Sequence, residues 1–94
     1  MKPNYQYPIF EDWNREELTQ VCKLYQLVED AYELPHGANR VGLLDAYADF
    51  QKIVPAKGEQ RTIERQFESN SGYNIFKVFK LARDSTTKNV KING

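Results

Sequence analysis

The sequence has little of the residue types that carry out chemistry: one cysteine and one histidine among 94 residues. A single cysteine excludes an internal disulfide and is typical of a reducing compartment. The only histidine, His36, has no second histidine and no cysteine near it, so a metal site would lack its usual ligands. No glycine-rich phosphate loop and no cofactor motif is present. We therefore expect no catalytic, cofactor-binding or metal-binding residues and a protein that is not an enzyme.

Long apolar segments and an excess of one charge are also missing. No apolar run approaches the roughly 18 residues that span a bilayer, and the N-terminus lacks the apolar part of a signal peptide. This pattern predicts a cytoplasmic protein with no membrane partner. Thirteen basic residues balance thirteen acidic ones. A net charge near zero argues against a chain built mainly to hold nucleic acid, but it leaves room for a local cationic patch.

The strongest helical signal covers residues 14–34. Asn14 stands at an N-cap position with Glu17 three residues later, an arrangement closely related to the capping box. Apolar residues then recur at helical spacing, at Leu18, Val21, Cys22, Tyr25, Val28 and Tyr32. Cys22 therefore falls on the face that packs into the core, where an inert thiol is the expected interpretation.

Three shorter helices are predicted after the first, at about 40–54, 56–69 and 73–83. Pro35 ends the first helix, Asn39 is the expected cap of the second, and Pro55 separates the second from the third. A turn at residues 70–72 precedes the fourth. We expect the first and fourth helices to contribute most of the core.

The third predicted helix is mostly polar and should be the outermost one. Its narrow apolar stripe holds only two large side chains, Ile63 and Phe67. Oppositely charged residues stand three positions apart and predict two intrahelical ion pairs, Arg61–Glu64 and Arg65–Glu68. Such pairs stabilise a helix by only a few tenths of a kcal/mol.

The fourth predicted helix is unusually apolar. Its apolar residues cover about 220° of the circumference at 100° per residue, because Phe76 and Leu81 widen the stripe on both sides. A helix of this kind lies in the centre of a bundle or shares its surface with a partner. The rest of its circumference is a cationic stripe, formed by Lys77, Lys80 and Arg83.

The sequence thus predicts an all-α protein, a compact single-domain bundle of four helices within residues 1–83. Pro3 and Pro8 disfavour a helix at the start, so residues 1–12 are predicted to form an extended arm that lays Tyr5 and Tyr7 across the helices. From residue 84 the apolar pattern stops, and residues 84–94 are predicted to be a flexible tail.

Several segments together carry a family resemblance: residues 5–8 (Tyr-Gln-Tyr-Pro), 12–13 (Asp-Trp), 28–33 (Val-Glu-Asp-Ala-Tyr-Glu), 53–57 (Ile-Val-Pro-Ala-Lys) and 67–77 (Phe-Glu-Ser-Asn-Ser-Gly-Tyr-Asn-Ile-Phe-Lys). In order and spacing they resemble the small bacterial proteins of uncharacterised protein family 0223, the YktA-like proteins, over about residues 5–82. The chain departs at Gly58, where the family leads us to expect Ala, in a longer loop at 36–41 and in the tail. The resemblance implies an all-α fold and a cytoplasmic setting in low-GC Gram-positive bacteria. It implies no mechanism, since the family has no assigned function and no functional residues to carry over.

Two hypotheses of function follow from the fourth helix. In the leading one, the protein is a small non-enzymatic interaction module that binds an unidentified protein or a second copy of itself through Phe76 and Leu81. In the alternative, it is a weak nucleic-acid-binding protein that contacts phosphates through Lys77, Lys80 and Arg83. The first is favoured because the cationic stripe is only two or three residues wide and the aromatic residues match the period of the core.

Overall fold

Four helices and two very short strands form the fold, which the computed structural model describes for residues 7–92. In chain order they are α1 (Arg15–Glu33), β1 (Ala38–Asn39), α2 (Arg40–Ile53), α3 (Lys57–Ser71), α4 (Ile75–Asp84) and β2 (Asn89–Val90). The predicted all-α class and four-helix bundle are confirmed. Among the described residues, no helix is both long enough and apolar enough to cross a membrane.

The first two helices begin at the caps that the sequence predicts. The Glu17 backbone N–H donates to Asn14 Oδ1 at 2.8 Å, and the Asn14 N–H donates back to Glu17 Oε1 at 3.0 Å. This reciprocal pair is a complete capping box. At the start of α2, the Gly42 N–H donates to Asn39 Oδ1 at 2.7 Å. Both starts depend on hydrogen bonds between residues three positions apart, which explains why the sequence alone locates them.

The boundary between α3 and α4 lies two residues later than the apolar pattern predicts. Gly72 ends α3 in the left-handed conformation at φ 83°, and its N–H donates to the Glu68 carbonyl at 2.7 Å. Asn74 then caps α4, because its Oδ1 accepts the Lys77 N–H at 2.8 Å. The helix therefore begins at Ile75 instead of residue 73.

The core is built mainly by α1 and α2, which form the largest interface between two helices. The prediction that α1 and α4 dominate is wrong for α4, which has only 10 residues and buries three of them. The buried residues of the three helices are Val21, Leu24, Tyr25, Val28 and Ala31 in α1, Leu43, Ala46, Tyr47 and Phe50 in α2, and Ile75, Val78 and Ala82 in α4.

Helix α3 is attached by the two large side chains that the sequence singles out. Ile63 and Phe67 are fully buried, and the Phe67 ring stacks on Tyr25 of α1 with centroids 4.8 Å apart. A third contact is polar, since Gln60 Nε2 donates to the Val54 carbonyl at 2.7 Å. This bond satisfies a backbone acceptor at the end of α2.

The described part of the N-terminal arm crosses α1 without forming a helix or a strand. The Tyr25 hydroxyl donates to the carbonyl of the buried Pro8 at 2.7 Å. Tyr7 lies against the same helix, where its hydroxyl donates to Glu29 Oε1 at 2.7 Å. The arm therefore places one of its tyrosines across the helices; the predicted position of Tyr5 lies outside the described residues.

The chain after α4 differs from the flexible tail predicted for residues 84–94. Residues 85–92 turn back to the helices, and Val90 and Ile92 are only 3% and 8% exposed. β2 pairs with β1 in antiparallel register. Two isolated apolar residues in a polar segment do not produce a periodic pattern. The sequence therefore does not predict that this segment packs against the helices. Residues 93–94 lie outside the described residues.

The returning segment closes the C-terminal end of α1. The Ile92 N–H donates to the Ala31 carbonyl at 2.9 Å, and Lys91 Nζ donates to the Tyr32 carbonyl at 2.8 Å. Carbonyl groups in the last turn of a helix have no partner inside the helix, and a cation there interacts favourably with the helix dipole. α1 has no basic residue in its own last turn, so Lys91 supplies that charge from 59 positions away.

Gly37 lies where the loop after α1 approaches β2 most closely. Its φ is 73°, and a Cβ atom at this position would lie 1.9 Å from the Val90 carbonyl oxygen. The position thus requires glycine for two reasons, its backbone conformation and the lack of space.

Replacing Gly37 with alanine should therefore displace β2 and lower the free energy of unfolding by about 2–4 kcal/mol, as measured by urea denaturation. Two other glycines serve as controls. Gly72→Ala meets nothing within 4 Å at φ 83° and should cost only about 1–2 kcal/mol of backbone strain. Gly58→Ala lies in open space within α3 and should be neutral or stabilising by up to about 1 kcal/mol. Equal losses for Gly37→Ala and Gly72→Ala would contradict the close approach of β2.

Candidate functional site

The two residues that the sequence proposes as protein contacts lie on different flanks of α4. Phe76 is 47% exposed, whereas Leu81 is half-buried and packs against the core. Five positions separate them, which corresponds to about 140° around a helix. A single flat contact surface therefore does not present both side chains equally, and Phe76 is the exposed one of the two.

The three cations of the alternative hypothesis are exposed on the outer side of α4. Lys80 and Arg83 follow Phe76 at i+4 and i+7, so they continue along its side of the helix. Arg83 Nε donates to Asp84 Oδ1 at 3.1 Å, and its guanidinium carbon lies 5.8 Å from the centroid of the Phe79 ring. Lys77 lies further around the circumference, away from Phe76.

Phe76 lines two adjoining surface clefts, which together are called the Phe76 cleft below. One lies between α3 and α4 and is lined by Arg61, Glu64, Arg65, Glu68, Asn74 and Phe76. The other extends toward α2 and is lined by Tyr47, Gln51, Lys57, Gln60, Arg61, Glu64 and Phe76. The wall formed by α3 runs from Lys57 to Glu68, which corresponds to about 17 Å along a helix axis.

The carboxylates in this cleft are bound by neighbouring polar groups. The Tyr47 hydroxyl donates to Glu64 Oε2 at 3.0 Å, and Asn74 Nδ2 donates to Glu68 Oε2 at 3.5 Å. Both donors come from other parts of the chain than α3. Each of these two carboxylates thus has a hydrogen-bond donor within its own chain.

The two intrahelical ion pairs predicted for α3 do not form. Within residues 7–92 the ion pair shorter than 4 Å is Arg83–Asp84, and neither Arg61 nor Arg65 takes part in one. The hydrogen bonds that Glu64 and Glu68 do accept come from Tyr47 and Asn74, outside α3. Arg61 and Arg65 therefore line the Phe76 cleft without an ion pair shorter than 4 Å among residues 7–92.

Burial changes the acid–base properties of the Tyr47–Glu64 pair. Tyr47 is almost completely buried and stacks on Phe79 with centroids 4.0 Å apart. Burial raises the pKa of its phenol, and the charge and hydrogen bond of Glu64 raise it further. Burial also raises the pKa of the Glu64 carboxyl, against smaller opposing effects of the Tyr47 hydrogen bond and Arg61. Both groups therefore favour their neutral forms more than exposed side chains would.

Groups for covalent or metal chemistry are not gathered in the part of the chain that the structure describes. No three histidine, cysteine, aspartate or glutamate side chains there lie close enough to hold a metal ion. Cys22 is half-buried against the core, and burial raises the pKa of its thiol. A raised pKa lowers the fraction of reactive thiolate, opposite to the shift of a catalytic cysteine.

The sequence pattern identified Phe76 and the cations of α4 as candidate contacts, but it did not identify the residues of α3 that form the opposite wall of the cleft. Lys57, Arg61 and Arg65 are spaced at i, i+4 and i+8, a signal that places three cations along one side of α3. Only the packing of α3 beside α4 brings these residues near Phe76.

Known proteins similar to this chain cover almost all of it. The model of the Uncharacterised protein family (UPF0223) matches residues 4–91. A UPF0223 protein of Listeria welshimeri is 42% identical over 94% of this chain and 96% of its own length. A UPF0223 protein of Bacillus velezensis is 44% identical, and the UPF0223 protein YktA of Bacillus subtilis is 43% identical, each over 94% of this chain and 98% of its own length.

The Tyr47–Glu64 pair can be tested through the pH dependence of stability. Because the pKa of Tyr47 is raised in the folded state, it contributes stability that is complete below about pH 10, the ordinary phenol value, and is lost as the pH rises further. Tyr47→Phe should cost about 1 kcal/mol near neutral pH through the lost hydrogen bond. The difference from the unmodified protein should shrink above about pH 10 in urea denaturation. A difference that stays constant with pH would contradict the raised pKa.

Proposed function

This chain belongs to the uncharacterised protein family UPF0223, and we propose that it is a small non-enzymatic protein-interaction module of the cytoplasm. Its binding surface is the Phe76 cleft, and its partner is another protein or a second copy of the chain. The family description names no enzymatic activity, and the similar proteins cited above come from bacteria.

The observation that carries this proposal is the exposure of an aromatic ring at a cleft. Phe76 is 47% exposed while it lines the space between α3 and α4. Aromatic side chains that enter or line pockets dominate the binding energy of many protein interfaces. Leu34 and Val41 are similarly exposed, at 47% and 56%, but they do not line the Phe76 cleft.

The packing of α4 explains why Phe76 does not face the core. Ile75, Val78 and Ala82 already form the buried side of this ten-residue helix. Phe79, on the flank between that side and Phe76, is half-buried and stacks on Tyr47. One more aromatic ring than the core accommodates is thus left at the surface, where a partner can cover it.

The substitution Phe76→Glu tests this function. A partner captured from extract of the source organism should be lost, because a carboxylate would be desolvated at an apolar contact and binding should weaken by about 2 kcal/mol or more. The fold should be retained, since the side chain is half exposed. Mass spectrometry of captured proteins, with and without RNase treatment, and light scattering of the purified chain give the readout.

Val41→Glu is the matched control. It also places a carboxylate at an exposed apolar position, in the first turn of α2, where a negative charge is favourable. This variant should capture the same partner as the unmodified protein. Capture that survives Phe76→Glu, or that disappears with RNase, would contradict the proposed function. A dimer in light scattering that Phe76→Glu dissociates would identify the partner as a second copy.

The second candidate function is weak binding of nucleic acid. The observation in its favour is that Lys77, Lys80 and Arg83 are all exposed on one helix. Arg83 is paired with Asp84, however, and that carboxylate would lie close to any phosphate that Arg83 contacts. This pairing makes nucleic acid the less favoured partner.

Changing Lys77, Lys80 and Arg83 together to glutamine tests the second function. If the three residues contact phosphates, binding of mixed DNA or RNA should be abolished. The affinity of the unmodified protein should also fall with salt, with a log–log slope near about −3 for about three contacts. Fluorescence anisotropy at low and moderate salt measures both effects. Binding that the triple variant retains would exclude this surface as the nucleic-acid contact.

A further inference from the structure

We propose that the Phe76 cleft binds an acidic segment of another protein, one that places an apolar side chain on Phe76 and carboxylates on both walls. This inference rests on the proposed function, because it names the chemistry of the partner that the cleft would hold.

The chain is neutral as a whole, but its two halves are not. Residues 1–50 hold nine of the thirteen acidic residues and four of the thirteen basic ones, whereas residues 51–94 hold four acidic and nine basic residues. α1 comes from the acidic half, α3 and α4 come from the basic half, and α2 crosses the boundary with equal numbers of acidic and basic residues. α4 carries a net positive charge, whereas the three basic residues of α3 are matched in number by three glutamates. The lining of the Phe76 cleft itself holds three cations, Lys57, Arg61 and Arg65, against two carboxylates, Glu64 and Glu68, so it has a small excess of positive charge.

The basic residues stand in two rows beside Phe76. On α3, Lys57, Arg61 and Arg65 line the cleft at intervals of one helical turn, which is about 6 Å. On α4, Lys80 and Arg83 follow Phe76 along its own side; Arg83 is paired with Asp84, so Lys80 is the cation of this side that carries no ion pair with the described residues. An acidic segment lying in the cleft would therefore meet cations on both sides of the aromatic ring.

The acidic residues near the cleft offset part of this positive charge, and each of them accepts a hydrogen bond from its own chain. Glu64 accepts the Tyr47 hydroxyl, Glu68 accepts from Asn74, and Asp84 accepts from Arg83. Burial also raises the pKa of Glu64, so the neutral form is less unfavourable there than at an exposed site. Lys80 and Arg65, by contrast, form no ion pair with the residues that the structure describes.

The dimensions and charge of the cleft favour a short foreign segment over a second copy. A wall of about 17 Å matches about three turns of a helix. In a symmetric dimer the same surface faces itself, so the basic rows of the two copies would repel each other. An amphipathic acidic helix offers opposite charge at the rim and an apolar residue at the centre, which is how helices bind in grooves.

The test uses a fluorescein-labelled synthetic helical peptide of about 14 residues, in which glutamates surround two leucines spaced at i, i+4. The matched probe has glutamine in place of every glutamate. Anisotropy titration of the full chain should show that the acidic peptide binds at least about tenfold more tightly than the glutamine peptide. Its affinity should fall steeply between about 50 and 200 mM salt.

A pair of double variants locates the site. Arg61→Glu with Arg65→Glu should weaken binding of the acidic peptide by at least about tenfold, because two repulsions replace two attractions at the wall. Lys52→Glu with Lys88→Glu makes the same change in net charge at exposed positions outside the cleft. This control pair should change the affinity by less than about threefold. Circular dichroism confirms that both variants are folded.

The outcomes separate this inference from the proposed function. Equal binding of the two peptides, equal losses for the two double variants, or no binding of the acidic peptide up to about 1 mM would each overturn the acidic partner. If both peptides bind equally and Phe76→Glu abolishes both, the cleft remains a protein-binding surface without a preference for acidic segments. If the acidic peptide binds and Phe76→Glu does not weaken it, the proposed binding surface itself is wrong. Tighter binding of an RNA oligonucleotide with the same variant dependence would assign the basic rows to nucleic acid.

Discussion

The apolar stripe of α1 is the surface on which the rest of the described chain closes. Its buried residues contact α2 along the largest helix interface, and its Tyr25 holds both the N-terminal arm and α3. Ala31 and Tyr32, at its C-terminal end, accept hydrogen bonds from the segment that follows α4. A small domain buries only somewhat over 60% of its unfolded surface, so one long helix that contacts the other three helices is an efficient way to form a core.

Backbone groups at the helix ends are satisfied by groups that are distant in the sequence. Lys91 and Ile92 bond to the end of α1, and Gln60 bonds to the residue that caps α2. Arg40 does the same near the end of α4, where its side chain reaches the carbonyls of Thr87 and Ala82 at 2.7 and 3.4 Å. These bonds tie the helix ends to each other, because an unpaired carbonyl shielded from water would be costly.

The limited space in the core also explains the candidate site. The core has room for three residues of α4 and for the Tyr47–Phe79 stack, and Phe76 is left on the side that faces α3. The wall opposite Phe76 is polar, since α3 needs only Ile63 and Phe67 to stay attached. An exposed aromatic ring beside cations, with its neighbouring carboxylates already hydrogen-bonded, therefore results from packing the wide apolar surface of α4 beside the narrow apolar stripe of α3.

The sequence by itself determined the features that depend on neighbours a few positions away. Four helices, the caps at Asn14 and Asn39, and the two anchors of α3 follow from side-chain periodicity and from hydrogen bonds across one helical turn. Phe76 was identified on the same grounds, as an apolar residue at the edge of a stripe that was too wide.

Only the tertiary structure decided the features that join distant residues. The return of Val90 and Ile92, the glycine required at position 37 and the cleft between α3 and α4 each depend on where separate segments meet. The tertiary structure also decided which of Phe76 and Leu81 is exposed. Both residues widen the same apolar stripe, and only the packing of α4 buries one side of that stripe. The physical reason is that local periodicity specifies which face of an element is apolar, while the partner of that face is set by the packing of the whole chain.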